Sequence, residues 1–263
     1  MNVPIRQSYL DLVKRNLQAM DQVMFLTRII YIGEYRCTSE ELRQKMKNVM
    51  DHLANDHSDS PATGLLLVYQ QYFIHILEAT EEIIFRHFRL IYADGAMQID
   101  LGRVICLPPY HHVYQKFFRR WFAVFAKPPI LLEKLETTGL SEIEKQITNC
   151  LFKLYTLCEY ILDTYGITSV SMEEVLSHLG EKVPQCLPES AVLEFLLKVD
   201  TPVLKDVEEY LELYMKVPQI DFYNDKIWPP TCDFVPYDIL DGNVPRRDVI
   251  MLNQQSQQQQ RHH

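Results

Sequence analysis

Histidine is the side chain in this sequence best suited to proton chemistry near neutral pH, and where the histidines fall decides which reactions are open. His75 lies in the run Tyr72-Phe73-Ile74-His75-Ile76-Leu77-Glu78, where strand alternation puts Phe73, His75 and Leu77 on one face and Tyr72, Ile74 and Ile76 on the other. An imidazole on so apolar a face needs a hydrogen-bond partner, and Tyr31, in a separate strand-like run, is the expected one. His52, His57, His87 and the adjacent His111 and His112 match neither the H-E-x-x-H spacing nor any paired-cysteine spacing of a zinc site, so no metal is expected. Glu81 and Glu82 fall in a first helical turn, where carboxylates meet the positive end of the helix dipole. Glu208, Glu209 and Glu212 read as a solvated face. The G-x-S-x-G elbow is missing and the eight glycines do not cluster into a phosphate loop. Enzymatic chemistry is therefore not expected, and Glu78, at the end of the His75 run, is assigned no catalytic role.

The elements that would position His75 and Tyr31 follow from periodicity. Thr63-Gly64-Leu65-Leu66-Leu67-Val68-Tyr69 and the His75 run flank Gln70-Gln71, which predicts a hairpin with two apolar faces, each needing a cover. A strand is expected over 24–32, another over 103–107 before Pro108-Pro109, and a last one over 121–125. Thr38 and Glu41 form a capping box ahead of the stripe Leu42, Met46, Val49, Met50 and Leu53. Thr80 precedes a second helix with Ile83, Ile84, Phe88 and Ile91 inward. The order β-α-β-β-α-β with one strand appended is the split βαβ pattern, an α+β ferredoxin-like core. A long helix opened by a second box, Ser141 to Glu144, carries Ile143, Ile147, Leu151, Leu154, Cys158 and Ile161 and is the expected cover of the second face. Shorter helices are expected from Ser171 to Gly180, from Glu189 to Val199, and from Val203 to Met215 behind the cap Thr201-Pro202.

The boundaries read as an amphipathic helix within 1–23 (Leu10, Val13, Leu17, Met20), a core over 24–128, a helical region over 129–216 and an extended arm over 217–263 ending in a Gln-rich tail. The arm carries Phe222, Tyr223, Trp228, Phe234 and Tyr237 among prolines with neither helical nor strand period. Such aromatic density suits anchors laid on a partner. At 263 residues and 47% hydrophobic content the chain can bury a core, and its six scattered cysteines read as reduced thiols. No secretory signal or membrane span is expected, which implies an intracellular, soluble protein. A net charge of −9 opposes nucleic-acid binding; the local cluster Lys116, Arg119 and Arg120 reads as a solvated face, with contact to an acidic protein surface as the alternative.

Ile29-Ile30-Tyr31, the segment 63–69, Phe73-Ile74-His75-Ile76-Leu77-Glu78 and the Phe118-x-x-Trp121 spacing resemble the BLUF family, which binds flavin and senses blue light, over Met24 to Pro128. In that family a tyrosine, a glutamine and an asparagine hydrogen-bond the flavin ring beside a tryptophan and a methionine. Tyr31 and Trp121 match the tyrosine and tryptophan, whereas His75 stands at the glutamine, His57 at the asparagine, Ala123 at the methionine and Gly33 at a small polar position. An imidazole cannot rotate or tautomerise as a primary amide does. The resemblance therefore implies a degenerate pocket with no cofactor; the alternative is a retained FAD and a sensor signalling through the C-terminal helices. The whole chain also resembles a testis-expressed, BLUF-like family of mammals associated with the sperm flagellum. That resemblance implies a non-enzymatic structural or docking component of the axoneme, in the cytoplasm and cytoskeleton. Its implied partners are axonemal proteins on or near doublet microtubules, with no nucleic acid and no membrane.

Overall fold

The computed structural model describes residues 8–19, 24–55, 61–92, 98–131, 135, 139–167 and 171–215. The chain divides into two compact units, Met1–Lys216 and Val217–His263, and the second lies wholly outside the described residues. In the first unit the order is α1 (Tyr9–Ala19), β1 (Thr27–Tyr35), α2 (Ser39–Asn55), β2 (Thr63–Val68), β3 (Tyr72–Ala79), α3 (Glu81–Tyr92), β4 (Leu101–Cys106) and β5 (Trp121–Phe125). There follow α4 (Leu140–Ile167), α5 (Met172–Ser177), α6 (Leu179–Lys182), α7 (Ser190–Lys198), β6 (Lys205–Asp206) and α8 (Val207–Met215). One six-stranded sheet has the order β5-β2-β3-β1-β4-β6. Within it, β3 is antiparallel to both β2 and β1, and β1 to β4, which is the split βαβ arrangement of a ferredoxin-like α+β fold.

The hairpin forms as expected: Val68 pairs with Phe73, and the Tyr69 N–H donates to the Tyr72 carbonyl at 2.9 Å across Gln70-Gln71. Because both faces of β3 are apolar, the sheet is covered twice. On one side Ile29, Tyr31, Leu66, Phe73 and Leu77 pack under the buried stripes of α2 and α3. On the other, Ile30, Ile32, Ile74 and Ile76 meet Ile143, Ile147, Leu154, Cys158 and Ile161 of α4, so the long helix is the cover. Each such aliphatic side chain withdrawn from water contributes about 1.5–3 kcal/mol, which explains why a two-sided sheet recruits C-terminal helices.

Several expectations need correction. The first helix spans Tyr9–Ala19, and of its stripe Leu17 is buried, Val13 half-buried and Leu10 exposed, while Met20 lies outside the described residues. Ser8 and Asp11 cap it reciprocally. The box at Ser141 does not form, because α4 already opens on the Gly139 carbonyl, which accepts from Glu142 and Ile143. In α4 Cys150 and Leu157 are buried while Leu151 is only partly covered. Gly180 lies inside α6 rather than ending a helix, the break falling at His178. Thr201-Pro202 does not cap the last helix. Lys205 and Asp206 pair with β4, and α8 is capped by Asp206, whose Oδ1 accepts from the Glu209 N–H at 2.8 Å while Glu209 Oε2 accepts from the Asp206 N–H at 3.2 Å.

The connection from β4 to β5 must travel from one side of the sheet to the other, since β5 pairs in parallel with β2. It crosses at the N-terminal end of β1, where Arg28 and Tyr110 exchange backbone hydrogen bonds at 2.9 Å and Val113 donates to Leu26 at 2.8 Å. Glu78, fully buried at the end of β3, holds its far half: its carboxylate accepts from the N–H groups of Phe117 at 2.9 Å and Phe118 at 3.3 Å. Arg28 neutralises that carboxylate at 2.7 Å, donates to the Gln115 carbonyl at 3.0 Å, and lies 3.7 Å from the Phe117 ring centroid. This clamp delivers Trp121 to the start of β5. Among the described residues no helix is long and apolar enough to cross a membrane.

Candidate functional site

Tyr31 on β1, His75 on β3, His87 on α3 and Trp121 on β5 converge on the face covered by α2 and α3. Tyr31 and His75 face each other because they are register partners in the β1–β3 ladder. The Tyr31 hydroxyl lies 2.6 Å from His75 Nδ1 and 2.6 Å from His87 Nε2, and Trp121 Nε1–H donates to His75 Nε2 at 2.9 Å. Ring contacts seal the cluster: Tyr31 stands edge-on to Phe73 and Phe88 with centroids 5.8 and 5.1 Å apart. Tyr31, His75 and His87 have no solvent exposure.

The indole can only donate, so His75 Nε2 is an acceptor and its proton resides on Nδ1. Nδ1–H then donates to the tyrosine oxygen, which turns its own proton to His87 Nε2. His87 is left with its proton on Nδ1, a buried atom with no hydrogen-bond partner. The hydrogen bonds thus run one way, from Trp121 through His75 and Tyr31 to His87, and end in a lone donor.

Burial fixes the charge state of this chain. It drives His75 far below the ordinary imidazole range, with help from the neighbouring His87, and pulls His87 down to about 3; it pushes the Tyr31 phenol far up. Passing a proton along the chain would create imidazolium and phenolate in a place that opposes both. The arrangement positions strands and a helix; it does not move protons.

The flavin question can be put to these atoms directly. An isoalloxazine held by this face needs free hydrogen-bonding groups, but both ring nitrogens of His75, the Tyr31 hydroxyl and the Trp121 N–H are spent on one another. Phe73, Phe88, Leu66 and Leu77 fill the space between sheet and helices. Among the described residues of this face, the buried side-chain polar atom left without a partner is His87 Nδ1. Ala123 sits on β5 opposite Leu66, packed at the margin of the same face. His57, and the arm residues Phe222, Tyr223, Trp228, Phe234 and Tyr237, lie outside the described residues.

The basic cluster is divided by the structure. Lys116 donates to the Pro61 carbonyl at 3.0 Å, and its burial lowers its ammonium from the usual range. Arg119 and Arg120 are exposed, with Arg120 paired to Glu173 at 2.7 Å. Among the described residues no three His, Cys, Asp or Glu side chains could hold a metal ion together. Burial pushes the Cys150 thiol up to about 12 and raises Cys106 and Cys158 as well, so these thiols stay protonated and inert.

Sequence reasoning left His87 out of the site, although its spacing carried the signal: with Ile83, Ile84, Phe88 and Ile91 it completes the inward stripe of α3.

A family model described as testis-expressed protein 47 matches residues 25–216, well over half of the chain. The chain belongs to the testis-expressed protein 47 family. The matched stretch takes in the whole described sheet together with α4 to α8. Solved structures that resemble this family member include the ground state of BlsA, 17% identical with a TM-score of 0.34, covering 56% of this chain and 92% of that one. A structure described as BlrP1 BLUF is 21% identical with a TM-score of 0.30, covering 60% of this chain and 91% of that one. A bacterial light-regulated adenylyl cyclase is 21% identical at a TM-score of 0.32, and the match spans 53% of this chain and 36% of the cyclase. Likeness at this level carries no argument about the site.

Proposed function

We propose that this protein is a non-enzymatic structural or docking component of the sperm flagellar axoneme, in which a BLUF-like domain has become a protein-binding module. The observation that carries this reading is the buried chain Trp121–His75–Tyr31–His87, whose polar groups pair with one another apart from the terminal His87 Nδ1 and whose imidazoles burial holds neutral. Membership of a testis-expressed family supports the tissue. Partners are axonemal proteins on or near doublet microtubules, engaged in part through the aromatic arm over 217–263.

Two experiments test it. Purified full-length protein is expected to be colourless; a co-purifying flavin spectrum that shifts reversibly under blue light overturns the reading in favour of a sensor. In sperm, tagged full-length protein is expected in the axoneme, whereas a chain truncated after Pro218 stays folded but is poorly incorporated. Normal incorporation of the truncated chain removes the arm from the proposal.

A further inference from the structure

We infer that the outer margin of β5 is a docking site for an extended, apolar partner segment flanked by acidic residues, which adds to the sheet as a seventh strand. This deepens the docking reading above and rests on it. The other margin of the sheet is blunted by the two-residue β6 and capped by α8, but among the described residues β5 is paired on one side alone. Gly64 N–H donates to the Arg120 carbonyl and Ala126 N–H to the Val68 carbonyl, which sets the parallel ladder. The backbone groups of Phe122 and Val124 therefore face β2, and those of Trp121, Ala123 and Phe125 point outward. Among the described residues these outward groups have no hydrogen-bond partner.

The side chains at this margin also await cover. Trp121 and Ala123 continue the core under α2 and α3, Phe122 and Val124 continue the opposite core, where α5 packs against β5, and all four are only partly buried. Phe125 is 49% exposed. Soluble proteins blunt an open strand with inward charges or proline; the segment Trp121-Phe122-Ala123-Val124-Phe125 has neither. Strand addition gives main-chain hydrogen bonds for affinity and alternate side-chain contacts for selectivity.

Charge identifies the occupant. The strand is bounded at one end by exposed Arg119 and by Arg120, which is ion-paired with Glu173, and at the other by exposed Lys127, in a chain whose net charge is −9. A second copy pairing antiparallel about Ala123 would set Arg119 directly against Lys127, which is unfavourable. A partner strand with acidic residues at both ends meets the opposite sign at each.

The test uses full-length protein and a labelled synthetic probe, acetyl-Asp-Glu-Val-Thr-Val-Thr-Val-Glu-Asp-amide, read by fluorescence anisotropy and amide hydrogen exchange. Binding is expected, with new protection at Trp121, Ala123 and Phe125. Ala123→Pro removes an outward N–H without touching the β2 ladder and should weaken binding about tenfold or more. Should that variant misfold, the exposed pair Arg119→Glu with Arg120→Glu should lower affinity about tenfold while leaving urea stability near wild type. The inference falls if protection maps elsewhere, if a Lys-flanked version of the probe binds equally well, or if sedimentation shows a dimer that Ala123→Pro dissociates. Tagged Ala123→Pro in sperm separates the two levels. Its normal incorporation overturns the β5 site and leaves the docking reading standing, whereas absence of the wild-type chain from the axoneme overturns the docking reading itself.

Discussion

Trp121 reaches past the intervening strand β2 to place its indole N–H on Nε2 of His75 at 2.9 Å. That single donor sets the tautomer of His75 and, through Tyr31, of His87, so one indole orients the polar groups of three other elements. Removing it by Trp121→Phe should leave His75 Nε2 unpaired and destabilise the fold by about 1–3 kcal/mol, read from the urea midpoint.

Tyr31→Phe is expected to cost more. It deletes the acceptor of His75 Nδ1–H and the donor to His87 Nε2 together, leaving two buried groups unmet, for a loss of about 2–5 kcal/mol by urea unfolding. The double variant Tyr31→Phe with His87→Leu should lose less than the two single changes added, because the unpaired imidazole is gone. Strict additivity would show that the hydroxyl and His87 are not coupled.

Stability should fall on mild acidification. His87 is held at about 3 in the folded chain against an ordinary imidazole near 6.5, so below pH 6.5 the unfolded chain takes up a proton that the folded one refuses. The stabilisation is complete above that pH and is lost as pH descends, by about 1.4 kcal/mol per unit or roughly 2 kcal/mol between pH 6.5 and 5. His75, lowered for the same reason, acts in the same direction. Urea midpoints at the two pH values check this, and in His87→Leu the slope should shrink by the share of one histidine.

Glu78→Gln leaves the Arg28 guanidinium, whose side chain is 6% exposed, without its counter-charge, and should cost about 3–5 kcal/mol. The lost carboxylate also weakens the hold on Phe117 and Phe118. Hydrogen exchange at those two amides is expected to rise well before β3 opens. Unchanged exchange there would separate the ion pair from the crossing connection.

Gly64 has a φ of +154°, and a Cβ at that position would stand 2.0 Å from the Ile76 carbonyl oxygen. Gly64→Ala combines backbone strain with a backbone clash and should destabilise by about 3 kcal/mol or more, measured by thermal or urea unfolding.

Local pattern made much of this architecture legible. The stripe Leu42, Met46, Val49, Met50 and Leu53 is buried to the last residue, the Thr38–Glu41 box forms, and β5 occupies the expected Trp121–Phe125. Alternation in β3 was enough to require two covers, and both were found. What local pattern could not carry was partnership at a distance. Asp206 and Glu209 offered a capping box as good as the one anticipated at Ser141, but which box is used depends on where the chain leaves the sheet: Lys205 and Asp206 stop to pair with β4, whereas α4 begins two residues early, on Gly139. Tyr31 and His75 were paired in advance because both lie on predicted strands. His87 escaped because, although its spacing puts it on the inward stripe of α3, local pattern does not show that this stripe ends beside Tyr31.

The Arg28–Glu78 clamp joins the two middle strands, β1 and β3, to a connection that ends in the outermost one. Tension applied at that rim therefore has a route to the centre of the sheet through one guanidinium and one carboxylate, beside the route strand by strand across the ladder. A border anchored this way resists peeling with the help of its most deeply seated pair.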